Sequence, residues 1–121
     1  MGIAISKLWE RLFSKGNFKM VIIGLDNAGI ILVVDSTDRE RMGSVKGELQ
    51  RLIAQEELAN AVVLVLANKQ DLHDAMSAAE ISESLALHAV QSHEWHIQAC
   101  CALTGEGLTE GLEWIARRLR A

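Results

Sequence analysis

The sequence predicts a three-layer α/β domain, a mainly parallel sheet with helices on both faces. Short runs dense in β-branched residues alternate with stretches of helical period, which is the pattern of β–α–β units. The apolar runs are continuous rather than alternating, as strands covered on both faces require. Capping signals precede the helical stretches. At 121 residues, half of them apolar and 23% charged, the chain has enough apolar surface for one cored domain.

Residues 1–19 stand apart from the domain at 20–121. Met1-Gly2-Ile3-Ala4-Ile5-Ser6 fits the N-myristoylation pattern, with Gly2 as acceptor. On a helix, Ile5, Leu8, Trp9, Leu12 and Phe13 share one face, and Lys7, Glu10 and Arg11 the other, with Lys15 and Lys19 following. One acyl chain binds membranes marginally, so an apolar face beside lysines supplies a second signal for a membrane surface. The alternative is that the same face packs on the domain itself.

Val21–Gly24 and Ile30–Asp35 read as buried strands. Gly24-Leu-Asp-Asn-Ala-Gly29 resembles the start of a phosphate loop, which needs Lys-Ser/Thr next and then a helix. Here Gly29 runs into Ile30 and a strand. Parallel neighbours need about a dozen connecting residues, and Leu25–Gly29 supplies five. The two segments must form a hairpin, merge into one strand, or leave the first undocked. Asp26–Gly29 suits a turn.

Thr37 and Glu40 have capping-box spacing, and Met42, Val45, Leu49, Leu52 and Ile53 form the inward stripe of the helix that follows. Ala61–Ala67 is the third strand, ending at Asn68-Lys-Gln-Asp71. Ser77 and Glu80 form a second box, with Met76 and Ile81 as its staple, opening a helix to about Leu87. Trp95–Ala99 is the fourth strand. The last helix turns Leu108, Leu112, Ile115 and Leu119 inward, and Arg117, Arg118 and Arg120 favour its carboxyl end.

Parallel sheets bind ligands at the carboxyl ends of their strands. Gly24–Gly29, Asn68–Asp71 and Cys100–Leu103 are all expected at that edge. In Asn-Lys-Gln-Asp, Asp71 can accept from guanine N1–H and its 2-amino group. Adenine would leave that carboxylate unpaired. The Lys69 stem can cover the base, and Asn68 can brace neighbouring loops.

Gly24–Gly29, Val33-Val-Asp-Ser-Thr-Asp-Arg-Glu-Arg41, Ala67-Asn-Lys-Gln-Asp71 and Trp95-His-Ile-Gln-Ala-Cys-Cys-Ala-Leu-Thr-Gly-Glu-Gly-Leu108 together resemble the Arf and Arf-like small GTPases, most of all the fifth numbered Arf-like subgroup. The resemblance implies a truncated small-GTPase-like fold with a phosphate loop, GTP or GDP as ligand and Mg²⁺ as its metal. It also implies effector partners, vesicle trafficking and a peripheral place on cytoplasmic membranes such as the Golgi, with an acylated amino terminus. It assigns guanine contacts to Asn68, Lys69 and Asp71, and to Cys101-Ala102-Leu103, whose Ala102 N–H would reach the base carbonyl. It makes Gly24, Asp26, Asn27, Ala28 and Gly29 a phosphate-loop remnant.

Between Gly29 and Ile30 the family has the phosphate-loop Lys-Thr, a helix, both switch regions and two strands. Without them the chain lacks the lysine on the phosphates, the hydroxyl ligand of Mg²⁺ and the glutamine that orients water. Phosphate and metal binding are expected to be impaired and hydrolysis lost, with part of the last helix, including Trp114, uncovered. Two alternatives stay open: a nucleotide-independent membrane-associated binding protein, and a non-functional product of a skipped coding segment or faulty gene model.

Other classes find little support. A net charge of −4 gives no field for nucleic acid. On a strand, adjacent Cys100 and Cys101 would point to opposite faces, against an internal disulfide. His88, His93, His96 and Cys100 lack the paired spacing of a zinc motif.

Overall fold

The computed structural model describes residues 18–23 and 28–120. The expected helix within 1–19 therefore lies outside the described residues, apart from the start of the first strand. Four strands form one sheet in chain order: β1 (Phe18–Ile23), β2 (Gly29–Asp35), β3 (Val62–Asn68) and β4 (Trp95–Ala99). β2, β3 and β4 are parallel, with Asp35 opposite Asn68 and Ala67 opposite Ala99. β1 is antiparallel to β2, pairing Phe18 with Val34 and Ile23 with Gly29. Of the three expected arrangements, the hairpin forms. A five-residue connection cannot bring the chain back along the sheet, but it can reverse it.

Three α-helices cover the sheet: α1 (Met42–Ile53), α2 (Ala78–Ser84) and α3 (Leu108–Arg120). Ile30, Leu32, Val34, Val63, Val65 and Ala67 face α1 and α2, burying Met42, Val45, Leu49, Ile81 and Leu85 between the layers. Ile31, Val33, Leu64 and Leu66 face the other way and pack with Leu108 and Ile115 of α3. Successive residues of β2 and β3 are thus buried on opposite faces. This is why their sequence is apolar without alternation.

The box at Ser77 forms as expected: Glu80 N–H donates to Ser77 Oγ, and Ser77 N–H to Glu80 Oε1. Met76 and Ile81 are both buried in the core beside it. The box expected at Thr37 does not form. A 3₁₀ turn at Arg39–Arg41 precedes α1, and the Thr37 side chain instead donates to Asp35 Oδ1 at 2.7 Å. The Asp35 carboxylate is the stronger acceptor and lies only two residues away.

Trp114 is half-buried. The His96 ring stacks on it at 5.2 Å, and the Arg118 guanidinium lies 4.6 Å from its centroid. Arg118 also pairs with Glu94 at 2.9 Å, tying the end of α3 to the start of β4. His93 is buried and pins the loop before β4. Its Nε2–H donates to the Leu58 carbonyl at 2.8 Å, leaving Nδ1 to accept from Ser92 Oγ at 2.7 Å.

Candidate functional site

The carboxyl ends of β2, β3 and β4 deliver three loops to one edge: Asp35–Asp38, Asn68–Asp71 and Cys100–Gly105. Backbone bonds extend the ladders past the strands. Ser36 N–H donates to Asn68 O at 3.1 Å, Cys100 N–H to Ala67 O at 2.9 Å, and Gln70 N–H to Cys100 O at 3.2 Å.

Side chains then lock the loops together. Asn68 Oδ1 accepts from Ala102 N–H at 2.9 Å and from the Cys100 thiol at 3.9 Å. The Cys101 thiol lies 3.4 Å from Asp71 Oδ1 as donor. Gln70 Nε2 donates to Ser36 Oγ at 2.9 Å and to Met76 O at 3.0 Å, tying the loop after β3 to the loop after β2 and to the residue before the Ser77 cap. Lys69 adopts the left-handed conformation, φ 70°, and its Nζ donates to Asp35 Oδ2 at 2.9 Å. A non-glycine residue holds that conformation at a cost of about 1–2 kcal/mol, so the loop is built around it. Asp71 itself is exposed, and its Oδ2 has no partner among the described residues.

The edge therefore brings together a carboxylate with a free acceptor, a lysine and a hydrogen-bonded loop after β4. The chain matches the ADP-ribosylation factor family over residues 28–119. It is also 36% identical to ADP-ribosylation factor-like protein 5A of Rattus norvegicus, and equally to the proteins of that name from Homo sapiens and Bos taurus. Each alignment runs over 178 positions and takes in 99% of this chain and 99% of the relative. The chain belongs to the ADP-ribosylation factor family.

Within this Arf-like chain the alignment length is itself informative. Its 178 positions exceed the 121 residues present, so the relatives carry a stretch with no counterpart here. The family match begins at Ala28, beside the Gly29–Ile30 junction.

Ala28 and Gly29, the described end of the phosphate-loop remnant, are not at this edge. Gly29 opens β2 opposite Val62, and the Ala28 carbonyl accepts from Val62 N–H at 2.9 Å. Both ends of the β1–β2 connection, Ile23 and Gly29, sit at the amino-terminal edge of the parallel strands. Gly24, Asp26 and Asn27 lie outside the described residues. Six residue steps separate Gly29 from Asp35, about 20 Å at roughly 3.3 Å per residue. The expectation that three motifs share one edge is corrected to two. A hairpin reverses β1, and reversal sends its carboxyl end to the wrong side.

Ala102 also departs from expectation. Its N–H, assigned by the resemblance to the base carbonyl, is already engaged by Asn68 Oδ1. Leu103 is 88% exposed at the same loop. Asp35, Ser36 and Gln70 were not marked as site residues by their pattern. The signal for Asp35 and Ser36 is the run Asp35-Ser-Thr-Asp38 at the end of a strand, and that for Gln70 is its place within Asn68–Asp71.

Among the described residues, no cluster of three or more His, Cys, Asp or Glu side chains could hold a metal ion, and no helix is long and apolar enough to cross a membrane.

Two electrostatic consequences follow. Partial burial pushes the Asp35 carboxyl up, but hydrogen bonds from Lys69 and then Thr37 outweigh it and hold the group below its ordinary value. A carboxyl held low in the folded chain adds stability that is complete above its ordinary value, near about 3.9. That stability is lost as pH falls through the lower folded value. Asp35→Asn should cost about 1 kcal/mol at neutral pH, the half-exposed Lys69 limiting the effect. In urea melts the gap between variant and wild type should close as pH drops below about 4.

The Cys100 thiol is pushed up to about 12 by burial and then by its neighbour Cys101. Both cysteines are free and buried. Iodoacetamide at mildly alkaline pH should leave both unmodified in the native chain and label both in urea, as mass spectrometry would show.

Proposed function

We propose that this chain is an Arf-like guanine-binding protein whose base-recognition half is kept and whose phosphate, Mg²⁺ and hydrolysis functions are impaired. The observation that carries this reading is the interlocking of Asn68–Asp71 with Cys100–Ala102 at the carboxyl edge. Asp71 reads N1–H and the 2-amino group, Lys69 covers the base, and Asn68 braces the loop after β4. Impairment is supported by Gly29 pairing with Val62 at the far edge and by Gly29 running directly into β2. The residues that would supply a phosphate lysine, a metal hydroxyl and a water-orienting glutamine are placed by this reading in the stretch that the relatives have and this chain lacks.

A titration with fluorescent GDP, competed by adenine nucleotides and run with and without Mg²⁺, tests both halves. Guanine-selective binding that is weak and indifferent to Mg²⁺ is expected. Tight, Mg²⁺-dependent binding would overturn the impairment, and loss of selectivity would overturn base recognition.

The reading also includes peripheral attachment to a trafficking membrane such as the Golgi, through Gly2 and residues 1–19, with effector proteins as partners. Its support is the acylation pattern and the apolar face at Ile5, Leu8, Trp9, Leu12 and Phe13. Acylated protein should co-sediment with anionic vesicles, and a form beginning after residue 17 should not. Equal sedimentation of both would remove the membrane claim.

A further inference from the structure

We propose that the carboxyl edge reads guanine without regard to phosphate, taking guanosine at least as well as GMP, GDP or GTP and needing no divalent ion. This deepens the base-recognition reading and rests on it.

The base-reading parts are assembled by the chain's own bonds before any ligand arrives. Asn68 holds Ala102, Gln70 ties Ser36 to Met76, and Asp35 holds Lys69 in its left-handed turn. What remains open is suited to a flat, hydrogen-bonding ring. Asp71 offers an unpartnered Oδ2, while Leu103, 88% exposed, and Leu72, 43% exposed, supply apolar surface on loops following the two strands. Such leucines are costly to leave in water and gain from covering an aromatic face.

Among the described residues, nothing comparable awaits a phosphate. The backbone at Ala28 and Gly29 is committed to the sheet at the opposite edge, about 20 Å away by strand rise. The cations near the base-reading edge already have acidic partners: Lys69 with Asp35, Arg39 with Glu80, and Arg41 with Asp38. Residues 35–41, 68–74 and 100–106 together carry six carboxylates (Asp35, Asp38, Glu40, Asp71, Asp74 and Glu106) against those three cations. A field of that sign repels a polyanion, and the repulsion grows with each phosphate added. Affinity should therefore stay level or fall from guanosine to GTP, the reverse of what a phosphate cradle produces.

Chemical-shift titrations of the ¹⁵N-labelled full chain with guanosine, GMP, GDP, GTP and adenosine, each with and without Mg²⁺, test this. The four guanine ligands should move the amides of 68–72 and 101–103, with dissociation constants level or rising by about threefold along the series. Mg²⁺ should change none of them, and adenosine should leave the amides in place. GDP or GTP binding about tenfold tighter than guanosine would overturn the inference while leaving guanine recognition standing. Equal response to adenosine, or no response to any guanine ligand, would overturn the base-recognition reading and this inference with it. Raising the salt concentration separates the electrostatic part: the GTP titration should tighten toward that of guanosine, and a loosening would count against the repulsive edge.

Discussion

Gly107→Ala is expected to destabilise the domain by about 3–5 kcal/mol, a large share of the 5–15 kcal/mol that holds a domain folded. Gly107 has φ 81°, where an L side chain costs about 1–2 kcal/mol. A Cβ there would also lie 2.1 Å from the Ala99 carbonyl oxygen and 3.1 Å from both the Ala99 carbonyl carbon and the Cys100 Cα. These are backbone atoms at the end of β4, so relief requires moving the strand or the start of α3, with a cost like that of overpacking a core. Gly105 provides the control. Its φ is 82°, yet a Cβ would meet nothing within 4 Å, so Gly105→Ala should cost only the conformational part. Urea melts of the two variants give the comparison. Equal losses would mean that the chain does not approach itself closely at Gly107. The candidate site would feel the difference too, because Cys101 N–H donates to Glu106 O, linking the loop after β4 to the residue just before Gly107.

Gly107 also shows what the sequence could and could not reveal. The Gly-Glu-Gly run before the last helix marks a turn, but only coordinates show which glycine faces a carbonyl and which faces open space. The buried strands were legible because burial on both faces leaves an unbroken apolar run, as in Ile30–Val34 and Val63–Ala67. The Ser77 box was legible because both of its partners are local. Thr37 carried the same local signal, and it failed because Asp35 competes for its donors through a turn that the capping pattern does not contain. Gln70 occupies the position of the Asn-Lys-Gln-Asp motif with no role in reading the base. Its strut between Ser36 and Met76 depends on three segments meeting, and no spacing rule encodes that.

The direction of β1 is the most consequential feature that pattern left open. Composition makes Val21-Ile-Ile-Gly a strand in any arrangement, and the five residues after it exclude only the parallel crossover. Choosing the hairpin does more than complete the sheet. It takes a segment that resembles half of a phosphate site and fixes its far end, Gly29, in the ladder beside Val62. The start of the phosphate loop survives in sequence, while the topology separates its Gly29 end from the loops after β3 and β4.

Asp71→Asn should exchange guanine for xanthine recognition without unfolding the chain. The carboxylate offers two acceptors, matching the N1–H and 2-amino donors of guanine. An asparagine amide offers one acceptor and one donor, which fits N1–H beside the 2-carbonyl of xanthine. With guanine, the amide NH₂ would face the 2-amino group, donor against donor. The variant loses one charge-assisted bond of about 1.5–3 kcal/mol, so guanosine affinity should fall by roughly tenfold to a hundredfold. Because the guanosine complex is expected to be weak already, the readable gain is xanthosine, which should shift the amides of 68–72 and 101–103 in the variant and not in the wild type. The fold should tolerate the change: Asp71 is exposed and its recorded partner is the Cys101 thiol, which can donate to the amide oxygen as it does to Oδ1. A variant with an unchanged melt and unchanged guanosine affinity would remove Asp71 from base reading. A variant that loses guanosine without gaining xanthosine would keep Asp71 at the ligand but place the base in another orientation. In that case Asn68 could release the Ala102 N–H to the ligand, and an Asn68→Ala variant with strengthened binding would reveal it.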